Sequence, residues 1–243
     1  MKKFATLICA LLLVSLCGCG PEPARPTALA QEQPSNPSRL FDTWLVRGVS
    51  KDAKLDGDLL RKNIYLVLDC STSMNQSCGG GKTKLQAVKD ATTRFIGIIP
   101  ENVNLGLTTF ENSDVQEKVP LDVGNRSKLA AEINRVGANG GTPLSNAVQA
   151  GFEKLREQAK RQLGYGEYHL VVITDGEANP GYDPGPIVDE ILKTSPVVIH
   201  TIGIRIGTGH SLNQPGKTIY KDARSPKDLE DGLAEIAAEA DKF

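Results

Sequence analysis

Residues 63–74 of the 243-residue chain read NIYLVLDCSTSM, and this stretch decides the fold. Its first half is a continuous apolar run ending at Asp69, typical of a β-strand that is covered on both faces. In the segment that follows, Leu85, Val88 and Phe95 recur at the spacing of one helix face. A buried strand followed by an amphipathic helix is the repeating unit of a parallel sheet.

The same alternation continues to the end of the chain. Strands are predicted at 103–110, 114–122, 168–175, 196–206 and 218–222, and helices at 83–99, 125–136, 142–161, 184–194 and after Ser225. Pro120 makes the segment 114–122 a short edge strand, because proline is tolerated mainly at sheet edges. The patterns therefore predict an α/β fold: a doubly wound, mostly parallel sheet flanked by helices, with one short antiparallel edge strand. Ligands of such sheets bind at the carboxyl ends of the strands.

The N-terminus predicts a targeting signal. Residues 1–18 combine the basic start MKK with an apolar run that is short for a membrane-spanning helix. Their end, with Leu16 and then Gly18 before Cys19, resembles the lipobox of bacterial lipoproteins, although Cys17 stands where a smaller residue is usual. The resemblance implies removal of the signal and lipidation of Cys19. An ordinary secretory signal is the alternative.

The rest of the chain divides into three predicted parts. Residues 19–40 contain five prolines and no apolar periodicity, which predicts a disordered tether. Residues 41–61 are a lead-in segment, and residues 62–243 form the folded domain. We expect a protein of the cell envelope that is lipid-anchored to a membrane, the outer membrane if the host has two. Its domain would face the periplasm or the exterior.

The five cysteines separate into two groups. Cys9 and Cys17 would leave with the signal, and Cys19 would carry the lipid. Cys70 and Cys78 remain in a compartment that permits disulfides. The sequence leaves two alternatives open, a disulfide between them or a Cys70 that is simply buried at the strand end.

The run GGGKT at 79–83 raises the possibility of a nucleotide site. A phosphate-binding loop needs a glycine, four further residues and then Gly-Lys-Ser/Thr, and Gln76 occupies the position of the first glycine. The connection from Asp69 is also too long for such a loop. The formal charge of −1 gives no electrostatic case for nucleic acid. We therefore predict neither nucleotide nor nucleic acid as a ligand, and a flexible surface loop at this run.

Hydroxyl and carboxylate side chains gather at the predicted strand ends and in a Gly-rich turn. The candidates are Asp69, Ser71, Ser73, Thr142 and Asp175. Asp-x-Ser-x-Ser, a distant threonine in GGTPL and the Thr-Asp-Gly of TDGEAN together resemble the metal-ion-dependent adhesion site of von Willebrand factor A domains. The resemblance covers about residues 62–240. It implies that these five residues hold a metal ion.

Oxygen ligands of this kind suit Mg²⁺, or Mn²⁺ or Ca²⁺, rather than zinc. The three hydroxyls and the two carboxylates would hold the ion directly or through water. One position would remain for an Asp or Glu carboxylate of a protein ligand. The hypothesis is therefore a membrane-anchored protein that captures a protein ligand through the ion.

Two other functions stay open. One is an interaction scaffold of an envelope complex that works without metal. The other is metal-assisted hydrolysis, for which the sequence offers no general base, so we predict that the chain is not an enzyme. His169, His200 and His210 show no metal-binding spacing, and the first two are predicted to be packed and hydrogen-bonded within strands.

Overall fold

The computed structural model describes Trp44 and residues 54–240. The strands are β1 (Lys62–Asp69), β2 (Ser77–Gly79), β3 (Lys82–Thr83), β4 (Asn104–Glu111), β5 (Asp114–Asp122), β6 (Glu167–Thr174), β7 (Val198–Ile204) and β8 (Ile219–Ala223). The helices are α1 (Lys84–Ile98), α2 (Arg126–Arg135), α3 (Leu144–Arg161), α4 (Gly185–Thr194) and α5 (Pro226–Ala240). The predicted signal, tether and lipidated Cys19 lie outside the described residues and stay predictions.

The central sheet has the strand order β5-β4-β1-β6-β7-β8. β4 and β5 pair antiparallel, and the other neighbouring strands of this sheet are parallel. This confirms the predicted doubly wound sheet with one antiparallel edge strand. The chain leaves β1 towards β4 and later returns on the other side with β6, so the strand order reverses beside β1. Open α/β sheets bind their ligands at such a switch point.

Alternate residues of β1 enter two different cores, as the period of a strand requires. Ile64 and Leu66 belong to a cluster that includes apolar residues of α1, α2 and α5. Tyr65 and Val67 belong to a second cluster, which includes residues of α3 and α4. Helices therefore cover both faces of the sheet, and β1 is buried along nearly its whole length.

The glycine-rich run forms a short hairpin where the sequence predicted an irregular surface loop. β2 and β3 pair antiparallel as a separate two-stranded sheet. Gly79, Gly80 and Gly81 turn the chain with φ angles of +94°, +61° and +75°. Glycine adopts these left-handed conformations without the steric cost that other residues meet. The three glycines therefore serve a tight turn.

The lead-in segment packs on the domain through Trp44, which is buried. The Trp44 ring stacks on Phe152 at a centroid distance of 5.8 Å and meets Tyr168 edge-on at 5.3 Å. Further along, the Asp56 N–H donates to the Arg161 carbonyl. Across Trp44 and residues 54–240, none of the helices has both the length and the apolarity needed to cross a bilayer.

Candidate metal centre

Two carboxylates meet where β1 and β6 end. Asp69 is the last residue of β1, and Asp175 directly follows β6, its parallel neighbour. Both residues are buried, with 0% of Asp69 and 4% of Asp175 exposed. The sheet thus brings together two candidate residues that lie 106 positions apart in sequence, and places them at its switch point.

Asp69 shapes the loop that follows it. Its Oδ1 accepts a hydrogen bond from the Ser71 N–H at 2.7 Å, an arrangement in which an aspartate side chain closes a tight turn. Its Oδ2 accepts from the Thr174 hydroxyl at 2.6 Å. Burial raises the pKa of Asp69, the bonds from Ser71 and Thr174 lower it, and the charge of Asp175 raises it further. Asp69 therefore links the ends of both strands.

A chain of hydroxyl groups connects the loop to the second carboxylate. The Ser73 Oγ donates to Asp175 Oδ1 at 2.7 Å. The Ser71 Oγ lies 3.0 Å from the Ser73 Oγ. Since the hydroxyl proton of Ser73 is used on Asp175, Ser71 must donate to Ser73. Four of the five predicted site residues are therefore connected by direct hydrogen bonds.

Thr142 joins the site through the backbone of its loop. Asn139, three residues earlier, donates its N–H to the Cys70 carbonyl at 2.7 Å. The Thr142 carbonyl accepts from the Asn179 N–H at 3.0 Å. The loop is thus bonded both to the segment after β1 and to the segment after β6. Thr142 itself is 6% exposed.

The helix after Thr142 begins later than predicted. The sequence indicated a helix from residue 142, but α3 begins at Leu144. Pro143 has a ψ of +61°, which is not helical, so it precedes the helix. Thr142 therefore lies in the turn, and its carbonyl is available to Asn179.

Lys84 is a site residue that sequence reasoning missed. Its Nζ donates to Asp175 Oδ2 at 2.7 Å and to Gln76 Oε1 at 3.0 Å. The side chain of Lys84 is 8% exposed and that of Asp175 is fully buried, so this is a buried ion pair. The sequence contained one signal for this role. Lys84 lies in the first turn of a predicted helix, where the helix dipole disfavours a cation.

His210 also lies near the carboxyl ends of the strands. Its Nδ1 accepts from the Leu212 N–H at 3.1 Å, so its Nε2 carries the proton and donates to the Gly176 carbonyl at 3.0 Å. Both ring nitrogens are therefore engaged in hydrogen bonds. The residue is 2% exposed and braces the loop that follows Asp175.

The other two histidines are packed and hydrogen-bonded, as predicted. The His169 Nδ1 and the His200 Nε2 lie 3.1 Å apart between β6 and β7. Burial lowers the pKa of both rings, and with the neighbouring His169 it lowers that of His200 to about 4. They lie near the amino-terminal ends of β6 and β7, whereas Asp69 lies at the carboxyl-terminal end of β1.

Cys70 and Cys78 are free thiols in the structure, which corresponds to the unbridged alternative. Both are buried in the cluster that contains Leu85. Burial, with smaller contributions from the charges of Asp69 and Glu111, raises the pKa of Cys70 to about 12. Burial also raises the pKa of Cys78. Neither thiol is set up to react in the folded protein.

Comparison with known proteins finds a similarity to one domain family over part of this chain. Residues 64–177 match the model of the von Willebrand factor type A domain. Inter alpha-trypsin inhibitor heavy chain 4 of Mus musculus is 24% identical over 195 residues, which cover 73% of this chain and 20% of that protein. The chain spans less than a third of the length of the curated relatives it matches.

Solved structures agree in fold. The minor pilin PilB of Streptococcus sanguinis is 13% identical with a TM-score of 0.61, and the likeness covers 77% of this chain and 63% of that chain. A von Willebrand factor type A protein of Catenulispora acidiphila is 18% identical with a TM-score of 0.57, covering 74% and 43%. The chain is therefore similar to the von Willebrand factor type A domain over residues 64–177, and these solved structures share its fold.

Proposed function

We propose that this chain is a membrane-anchored binding protein that captures a protein ligand through a divalent cation. One observation carries the proposal: Ser71, Ser73 and Asp175 form a continuous hydrogen-bonded chain beside Asp69, at the switch point of the sheet. Buried carboxylates and hydroxyls at such a position are suited to binding rather than to packing. A pilin is among the proteins that share the fold, which agrees with a role in protein interaction.

The residues present fit a hard cation. The hydroxyls of Ser71, Ser73 and Thr142 would contribute neutral oxygens, and Asp69 and Asp175 would contribute carboxylates directly or through water. Mg²⁺ is the expected ion, with Mn²⁺ or Ca²⁺ as alternatives. When bound, the ion would supply a Lewis-acidic position for an Asp or Glu carboxylate of the ligand. Asp69 would orient the serine loop towards that position through its bond to the Ser71 N–H.

We further propose that the domain is held in the cell envelope by lipid on Cys19 and by the tether that follows. The support is the sequence pattern before Cys19. Cys19→Ser should leave an unprocessed or soluble form, which membrane fractionation and intact mass would detect. Unchanged mass and membrane partition in this variant would refute the anchor.

A binding role fits the site better than hydrolysis. A metal-assisted hydrolase uses a general base near the bound water. His210, the imidazole that contacts the loop after Asp175, has both nitrogens engaged. Lys84 is committed to Asp175 and Gln76. Neither side chain is therefore poised to take a proton from water.

A metal-independent scaffold is the second candidate, and the Lys84–Asp175 ion pair favours it. An ammonium group already lies 2.7 Å from one of the two carboxylates. The loops could therefore stay assembled without a divalent ion. In that case a partner would bind equally well to the wild type and to a variant that has lost the metal ligands.

Thermal melts with titrated Mg²⁺, Mn²⁺ and Ca²⁺ test the proposal. A ligand at a hundredfold excess over its dissociation constant stabilises the folded state by about 2.7 kcal/mol. Asp69→Ala should abolish this gain. Thr142→Ala should reduce it less, because water can replace one neutral oxygen. Asp189→Ala removes an exposed carboxylate paired with Lys217 and is the matched control, which should behave as wild type.

Two results would contradict the metal proposal. One is a wild type without any shift at millimolar cation, and the other is an Asp69→Ala variant that shifts as much as wild type. The ligand is tested by co-purification with EDTA and after return of Mn²⁺, in wild type and Asp69→Ala. Binding that is insensitive to EDTA in both would select the scaffold.

A further inference from the structure

The positive charge of Lys84 is unfavourable at its position for two reasons. Its ammonium group is nearly buried, and burial of a charge costs free energy unless the charge is paired. It is also the first residue of α1, where the helix dipole repels a cation. Thr83 fixes this helix start through a capping box with Gln86, with bonds of 2.8 and 3.2 Å. The pairing with Asp175 therefore offsets two unfavourable terms.

The lysine is held at both ends by one residue. Its backbone N–H donates to the Gln76 carbonyl at 2.8 Å, and its Nζ donates to the Gln76 side chain at 3.0 Å. Gln76 directly follows the turn Thr72–Asn75, which contains Ser73. The ammonium group is thus positioned by the same loop that carries the hydroxyl ligands.

Asp175 divides its two oxygens between this cation and the serines. Oδ1 accepts from Ser73 at 2.7 Å, and Oδ2 accepts from Lys84 at 2.7 Å. The formal charge of Asp69, Asp175 and Lys84 together is −1, whereas the two carboxylates alone would give −2. A dication that arrives at this centre therefore meets half of the negative charge that the carboxylates would otherwise offer.

From this geometry we propose that Lys84 is a built-in counter-cation of the site. It keeps Asp175 and the serine loop assembled without a metal ion, and it weakens the affinity of the centre for divalent cations. The inference rests on the proposed metal-dependent function. An ion held by a centre of charge −1 keeps a net positive charge of one, which favours a carboxylate from the ligand.

The test compares Lys84→Met, which removes the charge at nearly constant length, with Lys84→Arg, which keeps it. The dissociation constant of Mn²⁺ is measured by calorimetry on the whole chain, and the unfolding midpoint is measured in EDTA. We expect Lys84→Met to melt at a lower temperature in EDTA and to bind Mn²⁺ about tenfold more tightly. Loss of a residue that contacts a metal ligand typically costs about 10- to 100-fold in affinity. A gain is expected here because the group removed is a cation, which repels the metal ion. Lys84→Arg should stay within about threefold of wild type.

A Lys84→Met variant that binds Mn²⁺ no more tightly than wild type would overturn the inference. If this variant is unfolded in EDTA, circular dichroism during Mn²⁺ titration decides. Folding driven by Mn²⁺ supports the inference, and a chain that stays unfolded at saturating Mn²⁺ overturns it.

The two proposals fail in different ways. Binding of Mn²⁺ by Lys84→Met but not by wild type contradicts the proposed function and supports the role of Lys84. Binding by wild type that Asp69→Ala abolishes, together with unchanged affinity in Lys84→Met, supports the function and overturns the inference. Absence of binding in both proteins overturns both.

Discussion

At the scale of single residues, most groups of the site can be recognised in the sequence, but Lys84 cannot. Asp69, Ser71 and Ser73 are recognisable because they lie in one short motif directly after a buried strand. Lys84 and Asp175 are 91 positions apart, and their contact depends on how α1 and β6 meet in the fold. No local pattern encodes such a pairing, so only the structure shows that the centre contains an ammonium group.

The two buried cysteines give a prediction at this scale. With Cys70 and Cys78 free and buried, iodoacetamide at pH 8 should modify neither in the native chain within minutes, because alkylation needs an exposed thiolate. Burial raises the pKa of Cys70 to about 12, which lowers the thiolate fraction further. After unfolding in urea without reductant, mass spectrometry should show modification of both.

The same mass spectra also test the alternative, in which the two cysteines form a disulfide. A mass two units lower in the unreduced chain, with modification only after reductant, would show a bridge between Cys70 and Cys78. Rapid labelling of the native protein would instead show that the thiols are not buried.

At the scale of elements, the long strands and helices follow closely from their patterns, and the short hairpin does not. The predicted strand 114–122 coincides with β5, and the predicted strand 63–69 differs from β1 by one residue. A long apolar run or an apolar helix face contains many residues, and each of them supports the same assignment. β2 and β3 contain three and two residues, which is too few for any periodicity to appear.

The hairpin turn depends on glycine, which gives the second prediction. Gly80 has a φ of +61°, and an added Cβ would meet no atom within 4 Å. Gly80→Ala should therefore destabilise the protein through backbone conformation alone, by about 1 kcal/mol. Gly97→Ala is the control, because Gly97 lies in α1 without a positive φ and also in open space.

Chemical denaturation distinguishes the two substitutions. Alanine favours a helix over glycine by about 1 kcal/mol, so Gly97→Ala should raise the free energy of unfolding while Gly80→Ala lowers it. Equal effects of the two would mean that the turn does not need its left-handed residues.

At the scale of the whole molecule, the ionisable groups form two clusters that lie at opposite ends of the parallel strands. The carboxylates and Lys84 lie at the carboxyl ends of β1 and β6. The His169–His200 pair lies towards the other ends of β6 and β7. Sequence patterns predicted both the sheet and the burial of the histidines, because continuous apolar strands imply both. They could not predict that the two rings would be neighbours across β6 and β7.

This separation gives the last prediction, which concerns pH. Burial lowers the pKa of both histidines in the folded state, to about 4 for His200, from about 6.5 in the unfolded chain. Between these values the unfolded chain binds more protons, so the free energy of unfolding must fall as the pH drops from 6.5 towards 4. The loss is about 1.4 kcal/mol per pH unit at most for each histidine.

Two acidic side chains lie near the rings. Glu167 Oε2 lies 3.7 Å from His169, and Glu239 Oε2 lies 3.9 Å from His200. The negative charges of Glu167 and Glu239 raise the pKa of His169 and so partly oppose the effect of burial on that ring. Urea unfolding is measured between pH 7.5 and 5, where a free histidine takes up its proton, and the difference between wild type and a histidine variant reports on the buried rings. His200→Gln removes one titrating ring and should give a shallower dependence of stability on pH. Asp189→Ala removes an exposed carboxyl group whose pKa is lowered by the Lys217 ammonium group, so this control should keep the wild-type slope. A slope that His200→Gln leaves unchanged would mean that the buried pair does not govern the acid sensitivity of this domain.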